Sequence, residues 1–287
     1  MKQRIFSTFA IWTITGLILY FMGGQGAVWL LTVLAIGTQY EFYTLLEKMG
    51  RRPFKRFGTL LGAIMILAPY YTSRFSDAHA QGMAAGIVAV TIVACCLRIL
   101  AHRDTHERIA TLEATLVGLI YIPFMLTFMV RLLELPAHVA GIDPRLAEIQ
   151  GLMMILWFVI TTKFCDVGAL LFGKMFGRHK MAPNTSPKKT WEGAAGGCLT
   201  SVLLGLALTY FARDYFPVNF TPLWGAIIAL PLAIISIISD LVESMFKRQA
   251  EAKDSGKFIP GIGGAFDLTD SFILTAPTAF LLIRLIV

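Results

Sequence analysis

The sequence predicts an all-α, polytopic integral membrane protein with about nine transmembrane helices and a cytoplasmic N-terminus. Of its 287 residues, 56% are hydrophobic and only 15% are charged, whereas soluble domains have about 25% charged residues. The mean hydropathy is +0.68. The apolar runs are long and continuous, as helical spans require, whereas barrel strands would alternate over about ten residues. These observations exclude a soluble globule.

Nine apolar runs are candidates for crossing a bilayer, which takes about twenty residues per helix. They cover residues 8–24, 27–46, 58–74, 82–100, 112–133, 149–173, 191–212, 223–246 and 267–286. A short turn, Gly23-Gly24-Gln25-Gly26, joins the first two runs. Because no small-residue cleavage site follows the first run, we interpret it as a transmembrane helix rather than a signal peptide.

The basic residues predict the orientation of these spans. If the N-terminus is cytoplasmic, most of the 25 Lys and Arg fall in cytoplasmic segments, and the opposite loops hold only Arg74, Arg145 and Arg213. This distribution satisfies the positive-inside rule. We therefore attribute the net charge of +7 to basic residues in the cytoplasmic loops. We expect the lipid bilayer as a partner and no binding to nucleic acid.

The chain is divided by hydropathy into two regions. Residues 1–135 hold about five spans, and residues 149–287 form a C-terminal catalytic transmembrane region of about four spans. The second region contains the cytoplasmic loops 174–190 and 247–266, where charged and glycine residues gather. We expect a multi-pass protein of the inner cell membrane with its active site facing the cytoplasm. A homodimer is the oligomeric state that we consider as an alternative to a monomer.

Polar side chains concentrate where the last two spans meet the cytoplasm. Near the end of the eighth span, Asp240, Ser244, Lys247 and Arg248 have helical spacing and share one face. At the start of the ninth span, Asp267, Asp270 and Ser271 likewise share a face. Charged groups at membrane depth cost roughly 2.5–3.5 kcal/mol each on insertion scales, so they need partners or a watery cavity.

This arrangement predicts a site that holds a metal ion against phosphates. Carboxylate oxygens suit Mg²⁺, and a second cation is an alternative within the same cluster. Glycines such as Gly263 and Gly264 let backbone N–H groups approach a phosphate, and the N-terminus of the ninth span adds a positive dipole end. Lysine and arginine neutralise phosphate charge. The alternative is a salt-bridged loop without a ligand.

A second polar cluster lies between residues 163 and 193. Lys163 and Asp166 are spaced i, i+3, so they either pair with each other or line the site. The segment Ser186-Pro187-Lys188-Lys189-Thr190 precedes the seventh span. Ser186 and Glu192 could form a helix N-cap, but Lys188 and Lys189 would oppose the helix dipole unless an anion binds there. We therefore favour phosphate contact over a simple cap.

These residues carry a resemblance to a known family. The pattern from Ser244 to Asp270, S-x2-KR-x4-KD-x-G-x2-IPG-x-GG-x2-D-x2-D, resembles the signature of phosphatidate cytidylyltransferases (CDP-diacylglycerol synthases), and the segment from Ser186 to Gly193 is similar to a second hallmark. Together they cover about the C-terminal 40% of the chain. Two positions depart from the family pattern: Ile262 replaces a histidine and Leu268 replaces an arginine.

The resemblance implies that the chain transfers a cytidylyl group from CTP to phosphatidic acid and releases pyrophosphate. The implied catalytic residues are Asp240, Asp267, Lys253 and Asp254, and the implied metal ligands are Asp240, Asp267 and Asp270 for Mg²⁺. The residues implied to contact the substrates are Asp166, Ser186, Lys188, Lys189, Thr190, Ser244, Lys247, Arg248, Gly263 and Gly264.

Two other functions are alternatives. The first is a related nucleotidyltransferase that acts on another lipid phosphate, such as an isoprenoid or ether lipid. The second is an ion-coupled transporter, because transporters also place Asp and Lys within the membrane. A transporter, however, would more often show duplicated halves with broken helices, which this sequence does not show.

Overall fold

The structure is a computed structural model that describes residues 2–73, 77–101, 108–139, 141–183, 185–256 and 263–287. The described residues form nine α-helices: α1 (Lys2–Lys48), α2 (Lys55–Ser73), α3 (Asp77–Leu100), α4 (Arg108–Leu119), α5 (Met125–Glu134), α6 (Pro144–Phe176), α7 (Trp191–Phe211), α8 (Pro222–Gln249) and α9 (Ala265–Arg284). Two short strands, β1 (Lys180–Ala182) and β2 (Ser186–Thr190), lie between α6 and α7 in sequence. Ile262 lies outside the described residues.

The prediction of an all-α polytopic membrane protein is confirmed. Within the described ranges, six helical stretches are long and apolar enough to cross a membrane, and Gly86–Leu100 is a shorter apolar helix. The six are Thr13–Lys48, Arg108–His138, Pro144–Phe176, Trp191–Phe211, Pro222–Gln249 and Ala265–Arg284. Every predicted span overlaps a helix, while the number of crossings and the cytoplasmic N-terminus stay predictions.

Two of these stretches depart from a regular α-helix. Within α1, Gly23 has φ 53° and ψ −134°, a positive φ that glycine adopts at little cost, so the first two predicted spans lie on either side of a kink. The predicted span 112–133 consists of α4 and α5 joined by the π-helical turn Ile120–Phe124. Pro123 has no N–H to donate to the carbonyl of Leu119, and the wider turn accommodates this loss.

A β-hairpin, which was not predicted from the sequence, precedes α7. The strands β1 and β2 are antiparallel, with Lys180 opposite Thr190 and Ala182 opposite Ser186. Ser186 begins β2 and lies four residues before Thr190, at which α7 is capped, so the interpretation of Ser186 as a helix N-cap is wrong. The hairpin instead holds the lysine pair of residues 188–189 in a strand.

The N-cap of α7 is Thr190. Its Oγ1 accepts a hydrogen bond from the backbone N of Gly193 at 3.2 Å, as an N-cap side chain does. Glu192 does not complete a capping box, because its carboxylate accepts hydrogen bonds from the backbone N of Arg178 and of His179 instead. Both carboxylate bonds tie the start of α7 to the chain that leaves α6.

The chain forms two compact units, each assembled from residues distant in sequence. Unit 1 comprises Met1–Val130 and Phe246–Thr269, and unit 2 comprises Arg131–Met245 and Asp270–Val287. The last residues of α8 and the first turn of α9 thus belong to unit 1. The remainder of α8 and α9 belongs to unit 2.

Aromatic packing fixes the first turn of α9 in unit 1. The ring of Phe42, which is fully buried, lies 5.6 Å from that of Phe266, 5.0 Å from that of Phe246 and 5.4 Å from that of Tyr121. Edge-on and tilted contacts at these distances add about 0.5–1.5 kcal/mol per pair beyond area burial. They attach both ends of the loop 247–266 to α1.

Small residues bring α6 and α7 together in unit 2. A Cβ on Gly196 would lie 2.2 Å from Cγ of Phe172, and a Cβ on Gly197 would lie 2.7 Å from the carbonyl oxygen of Cys165. Membrane helices without a hydrophobic driving force associate through such close backbone approach. This contact sets where the end of α6 lies relative to the start of α7.

Candidate active site

Three carboxylates meet in unit 2. Asp240 and Glu243 belong to α8, and Asp270 lies in the second turn of α9. One oxygen from each carboxylate lies within 4.8 Å of the others. Glu243 is only 1% exposed and Asp270 only 8% exposed. Because like charges repel strongly when water is excluded, this acidic cluster favours positive partners.

Two lysines supply part of that positive charge. Lys189 Nζ, carried by β2, lies 2.5 Å from Asp240 Oδ2 and donates to the carbonyl of Ile237 at 3.3 Å. Lys163 Nζ, carried by α6, lies 3.1 Å from Asp270 Oδ1. The hairpin therefore has a definite role in the site, because it delivers Lys189 to the acidic cluster.

A hydrogen-bond network surrounds Asp270. Lys163 also donates to Ser271 Oγ at 2.6 Å, and Ser271 Oγ donates to Asp166 Oδ2 at 3.3 Å. The hydroxyl of Ser239 donates to the backbone carbonyl of Asp270. The ion pair of Lys163 is thus formed with Asp270 rather than with Asp166, its i+3 neighbour. The network fixes the orientation of Asp270 toward the acidic cluster.

The acidic cluster has a donor set that fits a divalent cation. Its three carboxylates offer hard oxygen ligands, which Mg²⁺ prefers. Lys189 and Lys163 already pair with two of these carboxylates, Asp240 and Asp270. A dication bound in the cluster would share those carboxylates with the two ammonium groups.

Unit 1 holds a second polar group, built around Asp267. Its Oδ1 lies 3.0 Å from Lys247 Nζ, and its Oδ2 accepts hydrogen bonds from the backbone N of Gly264 at 2.9 Å and of Ser255 at 3.4 Å. Gly263 has φ 133°, a conformation that side-chain-bearing residues rarely adopt. Asp267 therefore organises the glycine-bearing segment before α9.

The predicted site residues divide between these two groups. Unit 2 brings together Asp166, Lys189, Asp240 and Asp270, and unit 1 brings together Lys247, Gly263, Gly264 and Asp267. The predicted residues with exposed side chains are Lys188, Arg248, Lys253 and Asp254, whereas Ser186 and Ser244 are half-buried and Thr190 is buried. Asp267 is outside the acidic cluster, and its role as a metal ligand stays a prediction.

The structure adds residues that the predicted site did not contain. Glu243 follows Asp240 by three positions, so helical spacing was a usable signal. Lys163 was visible only as a charge within an apolar run. Glu41, which contacts the residues before α9, lies 214 positions from its partner Ser255, and local sequence carries no signal for such a contact.

The chain is similar to known proteins over nearly its whole length. A sequence model described as the cytidylyltransferase family matches residues 2–286. A phosphatidate cytidylyltransferase of Synechocystis is 30% identical over 263 residues, which cover 86% of this chain and 84% of that protein. One from Haemophilus influenzae is 30% identical over 90% of this chain and 88% of that protein.

Relatives that match a shorter part of the chain have higher sequence identity to it. A phosphatidate cytidylyltransferase of Staphylococcus aureus is 44% identical over 128 residues, which cover 45% of this chain and 48% of that protein. One from Rickettsia bellii is 37% identical over 61% of this chain and 70% of that protein. The similarity is therefore highest over part of the chain and extends, at lower identity, over nearly all of it.

Proposed function

This chain belongs to the cytidylyltransferase family, and we propose that it transfers the cytidylyl group of CTP to phosphatidic acid, giving CDP-diacylglycerol and pyrophosphate in phospholipid biosynthesis. The relatives that match most of the chain bear the name of this activity. The observation that carries the proposal on the structural side is the acidic cluster of Asp240, Glu243 and Asp270.

The reaction needs charge control more than proton transfer. An oxygen of the lipid phosphate attacks the α-phosphorus of CTP, the bond from that phosphorus to the bridging oxygen breaks, and pyrophosphate leaves. Since the nucleophile is already an anion near neutral pH, no strong general base is required. The main barrier is repulsion between anions, which positioned cationic groups lower.

In unit 2 the residues best placed for this task are the acidic cluster and its lysines. We propose that Asp240, Glu243 and Asp270 hold a divalent cation such as Mg²⁺, which when bound supplies positive charge for phosphate oxygens. Lys189 is close enough to Asp240 to balance its charge in the absence of substrate. With a phosphate present, its ammonium group can turn to that anion, because a lysine stem is flexible.

Unit 1 supplies a further set of phosphate-binding candidates. Lys247 and Arg248 lie in the last turn of α8, and the backbone N of Gly264 donates to Asp267 in the first turn of α9. A helix N-terminus with glycine before it suits an anion. The predicted role of Asp267 as a metal ligand is a separate proposal, in which a cation would displace Lys247 from its carboxylate.

The site is proposed to face the cytoplasm of the inner membrane. The support is the excess of Lys and Arg in the segments that this orientation makes cytoplasmic. Phosphatidic acid stays in the bilayer while CTP is soluble, so a site at the inner membrane surface lets both reach it.

The experiment is an assay of the purified protein in detergent with labelled CTP, phosphatidic acid and Mg²⁺. We expect a lipid-soluble labelled product, and Asp240→Asn should lower its formation by at least about a hundredfold, the scale of losing a group that stabilises transition-state charge. Asp214→Asn is the matched control, because this carboxylate is exposed in a loop before α8. Absence of lipid product from the wild type would refute the proposal, and full activity of Asp240→Asn would refute the metal site.

A further inference from the structure

Glu41 is a buried carboxylate of α1 whose partners all lie beside the start of α9. It is 7% exposed. Its Oε2 accepts hydrogen bonds from Ser255 Oγ at 2.9 Å and from the backbone N of Phe266 at 3.0 Å. A carboxylate taken out of water needs such donors, since an unpaired buried charge is strongly unfavourable. All of these residues belong to unit 1.

The bond to Phe266 places Glu41 at a helix end. Since α9 begins at Ala265, its first backbone N–H groups have no partner within the helix. The residue before the helix, Gly264, has no side chain with which to cap them. Asp267 turns back to the N–H of Gly264, and Glu41 receives the N–H of Phe266. A residue from another helix therefore supplies half of the cap.

The same carboxylate lies against two glycines. A Cβ on Gly256 would lie 2.0 Å from Glu41 Oε1, and the three atoms nearest to it all belong to the Glu41 side chain. A Cβ on Gly264 would lie 2.4 Å from Glu41 Oε2. Glu41 thus touches both described ends of the segment between α8 and α9, at Gly256 before residues 257–262 and at Gly264 after them.

We propose that Glu41 is a positioning residue for the part of the site that binds the phosphates of CTP. This role rests on the proposed function. By holding Ser255, Gly256 and the first turn of α9 together, it fixes the Asp267–Lys247 pair that would face phosphate. Because Ser255 and Glu41 occupy the space beside position 264, only glycine fits there without displacing them. Glu41 itself is buried behind these groups.

Steady-state kinetics with each substrate varied in turn tests this role. Glu41→Gln keeps the size of the side chain but removes its charge, so the charge-assisted hydrogen bonds weaken. We expect the KM for CTP to rise roughly tenfold, while the KM for phosphatidic acid in mixed micelles changes by less than about twofold. Glu47→Gln is the control, since Glu47 lies on the same helix, is 44% exposed and pairs with Lys55.

A double-mutant cycle tests the contact itself. Gly256→Ala should raise the KM for CTP in the wild type because its methyl group meets the Glu41 carboxylate. In a Glu41→Ala background that obstacle is gone, so Gly256→Ala should add little. Non-additivity of this kind is expected only of residues in contact. If Glu41→Ala does not fold, Glu41→Asp, whose side chain is one methylene shorter, gives the same comparison in weaker form when combined with Gly256→Ala.

Several results would overturn the positioning role. These are equal effects of Glu41→Gln on both KM values, a fall in thermal stability without a change in the KM for CTP, and an equal effect of Gly256→Ala in both backgrounds. Wild-type protein that forms no lipid product would instead overturn the proposed function. In that case the CTP-dependent rise in melting temperature, measured for wild type and Glu41→Gln, still decides whether Glu41 acts on nucleotide binding.

Discussion

Glu243 offers a test that separates metal binding from packing, because loss of a packing contact costs the same stability with and without a cation, whereas loss of a ligand costs more when the cation is bound. Its carboxylate lies within 4.8 Å of those of Asp240 and Asp270. At 4.8 Å two unit charges repel by about 3.5 kcal/mol for an effective dielectric of 20. Glu243→Gln removes this repulsion in the metal-free protein, so its effect on stability there should be smaller than its effect with the cation bound.

Magnesium should therefore increase the effect of Glu243→Gln. Removing a ligand is expected to weaken cation binding by at least about tenfold. At a concentration 100 times the wild-type Kd, a ligand stabilises the folded state by about 2.7 kcal/mol, and tenfold weaker binding reduces this to about 1.4 kcal/mol. When Mg²⁺ replaces EDTA, Glu243→Gln should therefore lose about 1.3 kcal/mol of stability, or roughly 3 °C of melting temperature, relative to wild type.

The assay is a thermal melt in detergent at several Mg²⁺ concentrations, paired with the Mg²⁺ dependence of product formation. Asp214→Asn serves as the control, because its curve should follow wild type at every concentration. If Glu243→Gln melts lower than wild type by the same amount with and without Mg²⁺, Glu243 is a packing residue and the cation site is refuted.

Two further predictions concern residues around the site. Lys163→Met should reduce turnover by about tenfold or more, because the ion pair that orients Asp270 is worth about 1.5–3 kcal/mol as a charge-assisted bond, and Lys163→Arg should retain more activity than Lys163→Met in the same assay. Gly197→Ala should lower the melting temperature by overpacking of about 1–3 kcal/mol, while Gly16→Ala, with nothing within 4 Å of the added Cβ, should not lower it, because alanine favours a helix over glycine.

The parts of the fold that follow from local physics could be predicted from the sequence. Apolar runs of bilayer length gave helices, and the glycine turn at residues 23–26 gave the kink at Gly23. The β-hairpin was missed because its five-residue second strand, Ser186–Thr190, carries a Ser-Pro start that also suits a helix N-terminus. Pairing with β1 decides between a strand and a helix N-terminus at this segment. That pairing depends on contact between two segments and not on local sequence preference.

In the candidate site, too, only the features that depend on local sequence could be predicted. Asp240 and Asp270 could be found because each shares a helical face with other polar residues near the cytoplasmic end of an apolar run. Lys163 could not be assigned, since its partner is 107 positions away on α9. For a buried charge in an apolar run the sequence predicts that a partner exists, but it does not say which residue that is.

Asp267 and Asp270 illustrate why a shared helical face does not mean a shared function. They are three residues apart on α9, and the sequence predicts that both bind the cation. Asp267 is the third residue of the helix, so its carboxylate can fold back to the N–H of Gly264, as an acidic residue in a first turn does. Asp270 lies one turn further, beyond the unsatisfied N–H groups, and its side chain joins the acidic cluster. Position relative to the helix end therefore explains why Asp267 contacts the glycine segment while Asp270 joins the acidic cluster.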